Sequence, residues 1–116
     1  MKKTKMLKKN YEFKRVLSRG KRYQEKNIEA FILKNNNMNN FLGLAISSKI
    51  ANAVTRNKIK RILRENYKIL EQNIKDGYSI VFLVRSNKKI GINDIKFENV
   101  QKDMNTILVK SQILNS

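Results

Sequence analysis

The side chains with the clearest chemistry in this sequence are cationic and lie at helical spacing. Arg56, Lys60 and Arg64 are four residues apart. Asn57 and Arg61 repeat that spacing one residue further on. Residues four apart stand on one face of an α-helix. A guanidinium binds a phosphate through two parallel N–H donors, a lysine acts as a mobile point charge, and an amide offers donors and an acceptor. The pattern predicts binding to a polyanion.

Residues 52–74 carry these side chains and have the periodicity of an amphipathic helix. At about 100° per residue, apolar and basic side chains separate onto opposite arcs of the helix. The basic arc contains Arg56, Asn57, Lys60, Arg61, Arg64 and Lys68. The arc predicted to face the core contains Ile59, Ile62, Leu63, Ile69, Leu70 and Ile74, with Tyr67 at its edge.

The sign of the charge favours a binding surface over an ordinary solvated helix face. A solvated face normally mixes bases with acids, because pairs four residues apart then attract. Residues 49–68 instead hold seven bases and a single acid, Glu65. Repulsion at that density is relieved when phosphates bind. We therefore predict that this helix binds nucleic acid.

The composition of the whole chain agrees with that prediction and argues against ordinary catalysis. The formal charge is +17, from 26 Lys and Arg against 9 Asp and Glu, and it self-repels unless a polyanion neutralises it. The absence of His and Cys removes the usual general base, thiolate zinc sites and disulfides. The carboxylates are scattered, unlike those of two-metal nucleases. We expect no catalytic residue, no metal site and no cofactor bound by the protein alone.

The length predicts one domain over residues 1–116. No stretch approaches the roughly 20 apolar residues of a membrane-spanning helix, and residues 1–10 lack the apolar segment of a secretion signal. We expect a cytoplasmic protein without a membrane partner. Eleven of the bases lie within residues 1–26, and we expect residues 1–9 to form a mobile basic arm.

The first half of the chain has the pattern of a helix followed by two strands. Residues 9–17 have helical spacing, and Gly20 is suited to end that helix. Residues 28–33 and 41–47 are rich in β-branched and aromatic side chains. The Asn-rich segment 35–40 between them favours turns, so we predict a β-hairpin.

The second half of the chain adds the basic helix, a strand and a last helix. Residues 78–84 are an unbroken apolar run, which is typical of a strand buried on both faces. Asn93 can cap a helix that begins near Asp94. The resulting order, αββαβα, predicts helices packed on a small sheet, with the strand order left open. The last segment would turn the following residues to the core: Ile95, Val100, Met104, Ile107, Leu108 and Ile113.

Residues 50–65, with the sequence IANAVTRNKIKRILRE, resemble the signature helix of the ribonuclease P protein family. The core pattern of that helix is Arg-Asn, two residues, Lys-Arg, two residues, Arg-Glu. LKKN at residues 7–10, followed by Phe13, is similar to the family's opening. GLAIS at residues 43–47 is similar to the strand before its basic loop. The resemblance covers roughly the first two thirds of the chain.

The resemblance implies a fold, partners and a site. The fold would be a two-layer α/β sandwich, similar to domain 2 of ribosomal protein S5, with a left-handed βαβ crossover, although right-handed crossovers are the general rule. The partners would be ribonuclease P RNA and precursor tRNA, whose 5′ leader is removed by the RNA with Mg²⁺ held by the RNA. Phe13 and Phe31 would line a cleft for the leader, and dimerisation of the holoenzyme stays open. The predicted RNA-binding residues are Lys49, Asn52, Arg56, Asn57, Lys58, Lys60, Arg61, Arg64 and Lys68.

Three other interpretations fit parts of the sequence. A ribosomal protein has similar size and charge, but the ordered pattern of the basic helix argues against it. A membrane-surface or calmodulin-target helix fits the basic segment in isolation, and the strands around it make that less attractive. A DNA-binding helix would be supported by a lack of preference for structured RNA over duplex DNA.

Overall fold

The computed structural model describes residues 4–84, 86, 88–91 and 93–115. It has the mixed α/β architecture that the sequence predicts, with three helices on a five-stranded sheet. The predicted six elements are present, and two short strands join them. In chain order the elements are β1 (Thr4–Met6), α1 (Asn10–Arg19), β2 (Lys21–Gln24), β3 (Ile28–Lys34), β4 (Asn40–Ala45), α2 (Ala53–Leu70), a 3-10 turn (Glu71–Asn73), β5 (Tyr78–Val84) and α3 (Phe97–Lys110).

The strand order in the sheet is β1-β4-β5-β3-β2. β5 pairs parallel with β4 and antiparallel with β3, so that Val81 lies between Gly43 and Phe31. The prediction that residues 28–33 and 41–47 form a hairpin is therefore wrong, because β5 separates the two strands. α2 is the crossover between the parallel strands β4 and β5. The left hand of that crossover stays a prediction.

β5 is central because its side chains are apolar on both faces. Ile80, Val81 and Phe82 are consecutive and fully buried. Successive side chains of a strand point to opposite faces, so such a run needs a packed layer on each side. The prediction of a strand buried on both faces is confirmed.

One face of the sheet, which we call the covered face, packs against α2 and α3. Its side chains come from alternate positions of β3, β4 and β5, as the two-residue period of a strand requires. Those positions are Ile28, Ala30, Ile32, Leu42, Leu44, Ile80, Phe82 and Val84. The helices contribute Ile59, Leu63, Tyr67, Val100, Met104, Ile107 and Leu108 to the same core, and Ile95 and Ile113 close it. The core positions predicted for the last segment are confirmed.

Among the described residues, α1 is the only helix on the opposite face, which we call the groove face. Val16 is the one residue of α1 that is buried, and Phe13 and Leu17 beside it are half-buried. The strand positions on this face are Phe31, Leu33, Phe41, Ala45, Val81 and Leu83. A single helix of 10 residues leaves part of this apolar surface open.

Thr4–Met6 form a strand of the sheet, so the prediction of a mobile arm over residues 1–9 is wrong for residues 4–9. β1 pairs parallel with β4, and the Leu7 N–H donates to the Leu42 carbonyl at 2.8 Å. The Thr4 and Tyr67 hydroxyls form a buried hydrogen bond of 2.8 Å. Residues 1–3 lie outside the described residues. β1 is therefore anchored to both the sheet and α2.

The start of the last helix was predicted too early. α3 begins at Phe97, with Lys96 as its N-cap residue, and not near Asp94 after a cap at Asn93. The Asp94 carboxylate accepts from the Gly91 N–H instead, within the loop before the helix. A carboxylate engaged in a local turn competes with the helix for the same backbone.

The core-facing arc of α2 differs from the prediction at two positions. Ile69 is 50% exposed, whereas Tyr67 is fully buried at the centre of the interface. Ile59 and Leu63 are buried as predicted, and so is Ile74, which lies beyond the end of α2 and after the 3-10 turn. The arc that packs on the sheet is therefore rotated toward Tyr67. Within the described ranges, no helix has the length and apolar character needed to cross a membrane.

Candidate nucleic-acid interface

The basic face of α2 is present as predicted, and its side chains differ in exposure. Asn57, Lys58, Arg61 and Lys68 are exposed. The stripe formed by Arg56, Lys60 and Arg64 is half-buried along the edge of the helix. The first turn of α2 contains no acidic residue. The start of the helix therefore offers no carboxylate to compete with phosphates for the basic side chains nearby.

Two of the predicted binding residues also build the loop before α2. The Asn52 side chain accepts from the Thr55 N–H at 2.9 Å and caps the helix. Arg56 donates through Nη1 to the Ala51 carbonyl at 2.8 Å. The Lys49 N–H donates to the Ser47 hydroxyl, and the Lys49 side chain is exposed. Asn52 and Arg56 thus shape the loop on which Lys49 stands.

Arg61 forms an exposed ion pair with Glu65, its only acidic neighbour on the predicted surface. The Nε to Oε1 distance is 3.1 Å. Exposed pairs four residues apart on a helix contribute only about 0.3–0.5 kcal/mol. An anion can therefore displace Glu65 from Arg61 at small cost.

Buried polar contacts hold α2 in position beneath its basic face. Tyr67 contacts Thr4 of β1, and burial raises the pKa of the Tyr67 hydroxyl to about 12. Asn66 is also fully buried, and its Nδ2 donates to the Phe97 carbonyl at the start of α3 at 3.3 Å. The cationic helix is therefore hydrogen-bonded to an edge strand and to α3. These contacts fix the direction in which its lysine and arginine side chains point.

A groove of about 510 Å³ joins α2 to the groove face. Its walls are formed by Phe13 and Leu17 of α1, and its floor by the ends of β4 and β5, including Ala45 and Leu83. Lys60 of α2 lies at the same groove. We call this cavity the first groove. It brings together an aromatic ring and a cation that are far apart in the sequence.

Phe13 is placed by the close approach of α1 to the sheet. A Cβ atom at Gly43 would lie 2.6 Å from Phe13 Cε1, so the ring packs on the β4 backbone where a side chain is missing. Phe31 lies on the same face, half-buried beside Val81. Phe31 is not among the residues that line the first groove. The fold therefore brings Phe13 and Lys60 to one groove, and Phe31 packs in the same apolar cluster as Phe13.

The sequence reasoning missed the residues of α1 that surround Phe13. Leu17 and the ends of β4 and β5 supply apolar wall of the first groove, and none of them had been predicted to line a binding site. Tyr11 was not singled out, although it falls off the apolar stripe of Phe13 and Val16, and it is 66% exposed. Its place off that stripe was the available signal. Among the described residues, no group of three potential His, Cys, Asp or Glu metal ligands occurs.

Comparison with known proteins gives consistent results along the chain. The family model for Ribonuclease P matches residues 1–112. The ribonuclease P protein component of Clostridium botulinum strain Loch Maree is 35% identical over 110 residues, covering 94% of this chain and 96% of the relative. The structure of the Staphylococcus aureus RNase P protein has a TM-score of 0.80 at 28% identity, covering 95% of this chain and 97% of that one. The Thermotoga maritima RNase P protein has a TM-score of 0.79 at 24% identity, which supports the fold alone.

Proposed function

The chain belongs to the ribonuclease P protein family, and from this premise we propose that it binds a catalytic RNA through α2 and the 5′ leader of precursor tRNA through the first groove. Family membership implies a role in tRNA 5′ processing together with the RNA subunit. The observation that carries the finer proposal is the meeting of Lys60 and Phe13 at one groove. A cation beside an aromatic wall is what single-stranded RNA needs for its phosphates and its unstacked bases.

The contact with the catalytic RNA uses the basic side chains of α2 and of the loop before it. Arginines supply paired donors to phosphates, lysines supply point charges, and Asn57 supplies amide hydrogen bonds. Arg56 and Asn52 serve partly by shaping the loop that carries Lys49. The full proposed set is Lys49, Asn52, Arg56, Asn57, Lys58, Lys60, Arg61, Arg64 and Lys68.

The leader contact uses Phe13 as a stacking platform and Lys60 as a phosphate contact. Leu17, Ala45 and Leu83 provide an apolar wall that tolerates any base, because every base has an apolar π-face. Phe31 is retained as a second candidate contact farther along the groove face. The groove thus suits a single strand of variable sequence.

The protein's role in this proposal is positioning and charge neutralisation. The RNA subunit performs the phosphodiester hydrolysis and holds the Mg²⁺ that supports it. The residues of this chain neutralise the phosphates that crowd together when the leader approaches the catalytic RNA. We propose that this takes place in the cytoplasm, and that the protein alone has no nuclease activity.

The test is cleavage of a 5′-extended precursor tRNA by the cognate RNA at low magnesium, with and without the protein. We expect strong stimulation by the protein and no cleavage by the protein alone. The triple variant Arg56→Gln, Arg61→Gln and Arg64→Gln should lose the stimulation. Lys102→Gln, which removes an exposed charge from α3, is the matched control and should keep it.

The salt dependence of RNA binding adds a second readout. If roughly six to eight phosphates are engaged, affinity falls by orders of magnitude over a few-fold rise in salt. Tight RNA binding without stimulation of cleavage would contradict the proposal and favour a structural RNA-binding role. Equal affinity for duplex DNA would favour the DNA-binding interpretation.

A further inference from the structure

The first groove continues over the outward side of α1 into a cavity on the other side of the helix. The outward surface of α1 forms a shallow depression of about 720 Å³ that includes Leu17, Lys14 and Ser18. Leu17 also lines the first groove. Tyr11 and Arg15 belong both to the depression and to a second groove of about 230 Å³. Shared lining residues therefore connect three cavities into one path across α1.

The path has the charge expected of a surface for RNA. Lys14, Arg15 and Arg19 of α1 are exposed. Glu12 is the one acid within Asn10–Arg19. Its carboxylate accepts the backbone N–H groups of Lys8 and Lys9 at 3.1 and 2.8 Å, and these hydrogen bonds lower the Glu12 pKa. Glu12 also lines the second groove, and these two backbone N–H groups partly offset its negative charge there.

Tyr11 supplies an aromatic surface at the mouth of the second groove. The ring is 66% exposed, and Lys9 Nζ lies 5.8 Å from its centroid. An exposed tyrosine ring beside cations is a stacking platform for an unpaired base. Arg15 lines the same cavity and can contact the adjacent phosphate.

The second groove is small, and its polar rim is fixed. Asn35 Nδ2 donates to the Asn39 carbonyl at 3.2 Å and to the Ser79 hydroxyl at 3.0 Å. The Asn37 N–H donates to Asn35 Oδ1 at 2.8 Å. Phe41 supplies an apolar side. A cavity below the roughly 300–1,000 Å³ of sites for drug-sized ligands suits one base.

We propose that a long 5′ leader leaves the first groove at Leu17, crosses α1 on Lys14 and Arg15, and stacks one base on Tyr11 at the second groove. The inference rests on the proposed function, which assigns the first groove to the leader. The leader is the occupant because the path begins inside that groove. The helix is about 10 Å wide, so the crossing takes a few nucleotides of extended RNA. Only leaders longer than that crossing reach Tyr11.

The experiment compares two precursor tRNAs with the reconstituted holoenzyme, one with a leader of about three nucleotides and one with about ten. The double variant Tyr11→Ala and Arg15→Gln should bind the long-leader precursor about tenfold more weakly, the scale of one lost base–aromatic stack. It should bind the short-leader precursor as the wild type does. Tyr11→Phe keeps the ring and should keep the affinity, and Lys102→Gln on α3 should change neither substrate.

Removing the bases from the distal part of the long leader separates stacking from charge. With abasic distal nucleotides, Tyr11→Ala should have no further effect, whereas Arg15→Gln should still weaken binding. Equal losses on both leader lengths would mean that this surface contacts the catalytic RNA, and that result would overturn the inference. No loss on either length would overturn it as well. If the wild-type protein fails to stimulate cleavage of either precursor, the proposed function itself has failed.

Discussion

The covered face of the sheet is closed by two helices, whereas the groove face is crossed by one. On the covered face, Ile28, Leu42 and Phe82 are fully buried against α2 and α3. On the groove face, Phe31 and Leu83 are only half-buried, since α1 is shorter than either α2 or α3. The apolar surface left open beside α1 is the surface proposed for RNA. Most of the buried core thus lies on one face, and the proposed binding surface lies on the edge of α2 and on the other face.

The same strands serve both purposes because their side chains alternate. Phe82 and Leu83 are neighbours in β5, yet the first belongs to the closed core and the second to the first groove. A substitution at one position therefore tests one face with little direct effect on the other. The predictions below use that separation.

The largest effect on folding is expected at Phe82. Replacing this fully buried ring with alanine leaves a cavity and should lower the free energy of unfolding by about 3–5 kcal/mol. Leu83→Ala, one residue further on, should cost clearly less because its side chain is only half-buried. Urea unfolding of both variants measures the difference. Equal losses would break the distinction between the two faces.

The next effect concerns Tyr67, whose burial raises its pKa to about 12 from the ordinary 10.0. Between these values the folded protein keeps the phenol proton, whereas the unfolded chain loses it. Stability should therefore be unaffected below about pH 10 and fall by about 2–3 kcal/mol toward pH 12. Tyr67→Phe removes this loss, so unfolding of the two proteins across that range isolates it from lysine titration. Parallel curves would contradict the prediction.

A smaller effect is expected where α1 touches the groove face. Gly43→Ala places a Cβ within 2.6 Å of Phe13 Cε1 and should destabilise the protein by about 1–3 kcal/mol. In a Phe13→Ala background the same change should cost much less. A double-mutant cycle by urea unfolding measures that coupling, and simple additivity would show that α1 is not held by this contact.

The smallest effect on folding is expected on the basic face of α2. Arg61→Gln removes an exposed ion pair and should change stability by no more than about 0.5 kcal/mol. The same variant should reduce the slope of RNA affinity against salt by about one. Titrations at several salt concentrations measure that slope. An unchanged slope together with a clear loss of stability would mean that Arg61 contributes to folding and not to RNA binding, and would contradict the prediction.

The sequence predicted the parts of the molecule that have a strong local pattern. The basic helix and the apolar run of β5 follow from periodicity, since each has enough residues to define its period. β1 and β2 were missed because they have three and four residues and include Lys5, Lys21 and Arg22. Strands that short carry little hydrophobic pattern. β1 depends on pairing with β4, far along the chain, whereas β2 forms a local hairpin with β3.

The pairing error had a physical cause that could have been recognised. Residues 78–84 were predicted to be buried on both faces, and such an apolar strand is typical of the interior of a sheet. That pattern favours an order in which β5 lies between the other two strands over one in which they pair as a hairpin. The Asn-rich segment 35–40 was interpreted as a hairpin turn between paired strands, whereas it connects two strands that are separated by β5.

The basic face of the candidate site was predicted from the sequence, whereas the groove that packing between distant elements creates was missed. The spacing of Arg56, Lys60 and Arg64 was enough to predict the basic face. The first groove depends on α1 crossing the sheet beside Gly43, and no local pattern specifies that approach. The additional role of Arg56 in holding the Ala51 carbonyl is likewise a consequence of loop geometry.

The strand order has a consequence for how the chain folds while it is being synthesised. β5 lies between β3 and β4 but is synthesised after both of them, with the whole of α2 in between. At about 5–20 residues per second, a nascent chain waits seconds between the appearance of β4 and of its central partner. During that time the edges of β3 and β4 that will meet β5 are open to strands of other copies. The lysines and arginines already synthesised repel those copies, so the charge suited to RNA also protects the unfinished sheet on the ribosome.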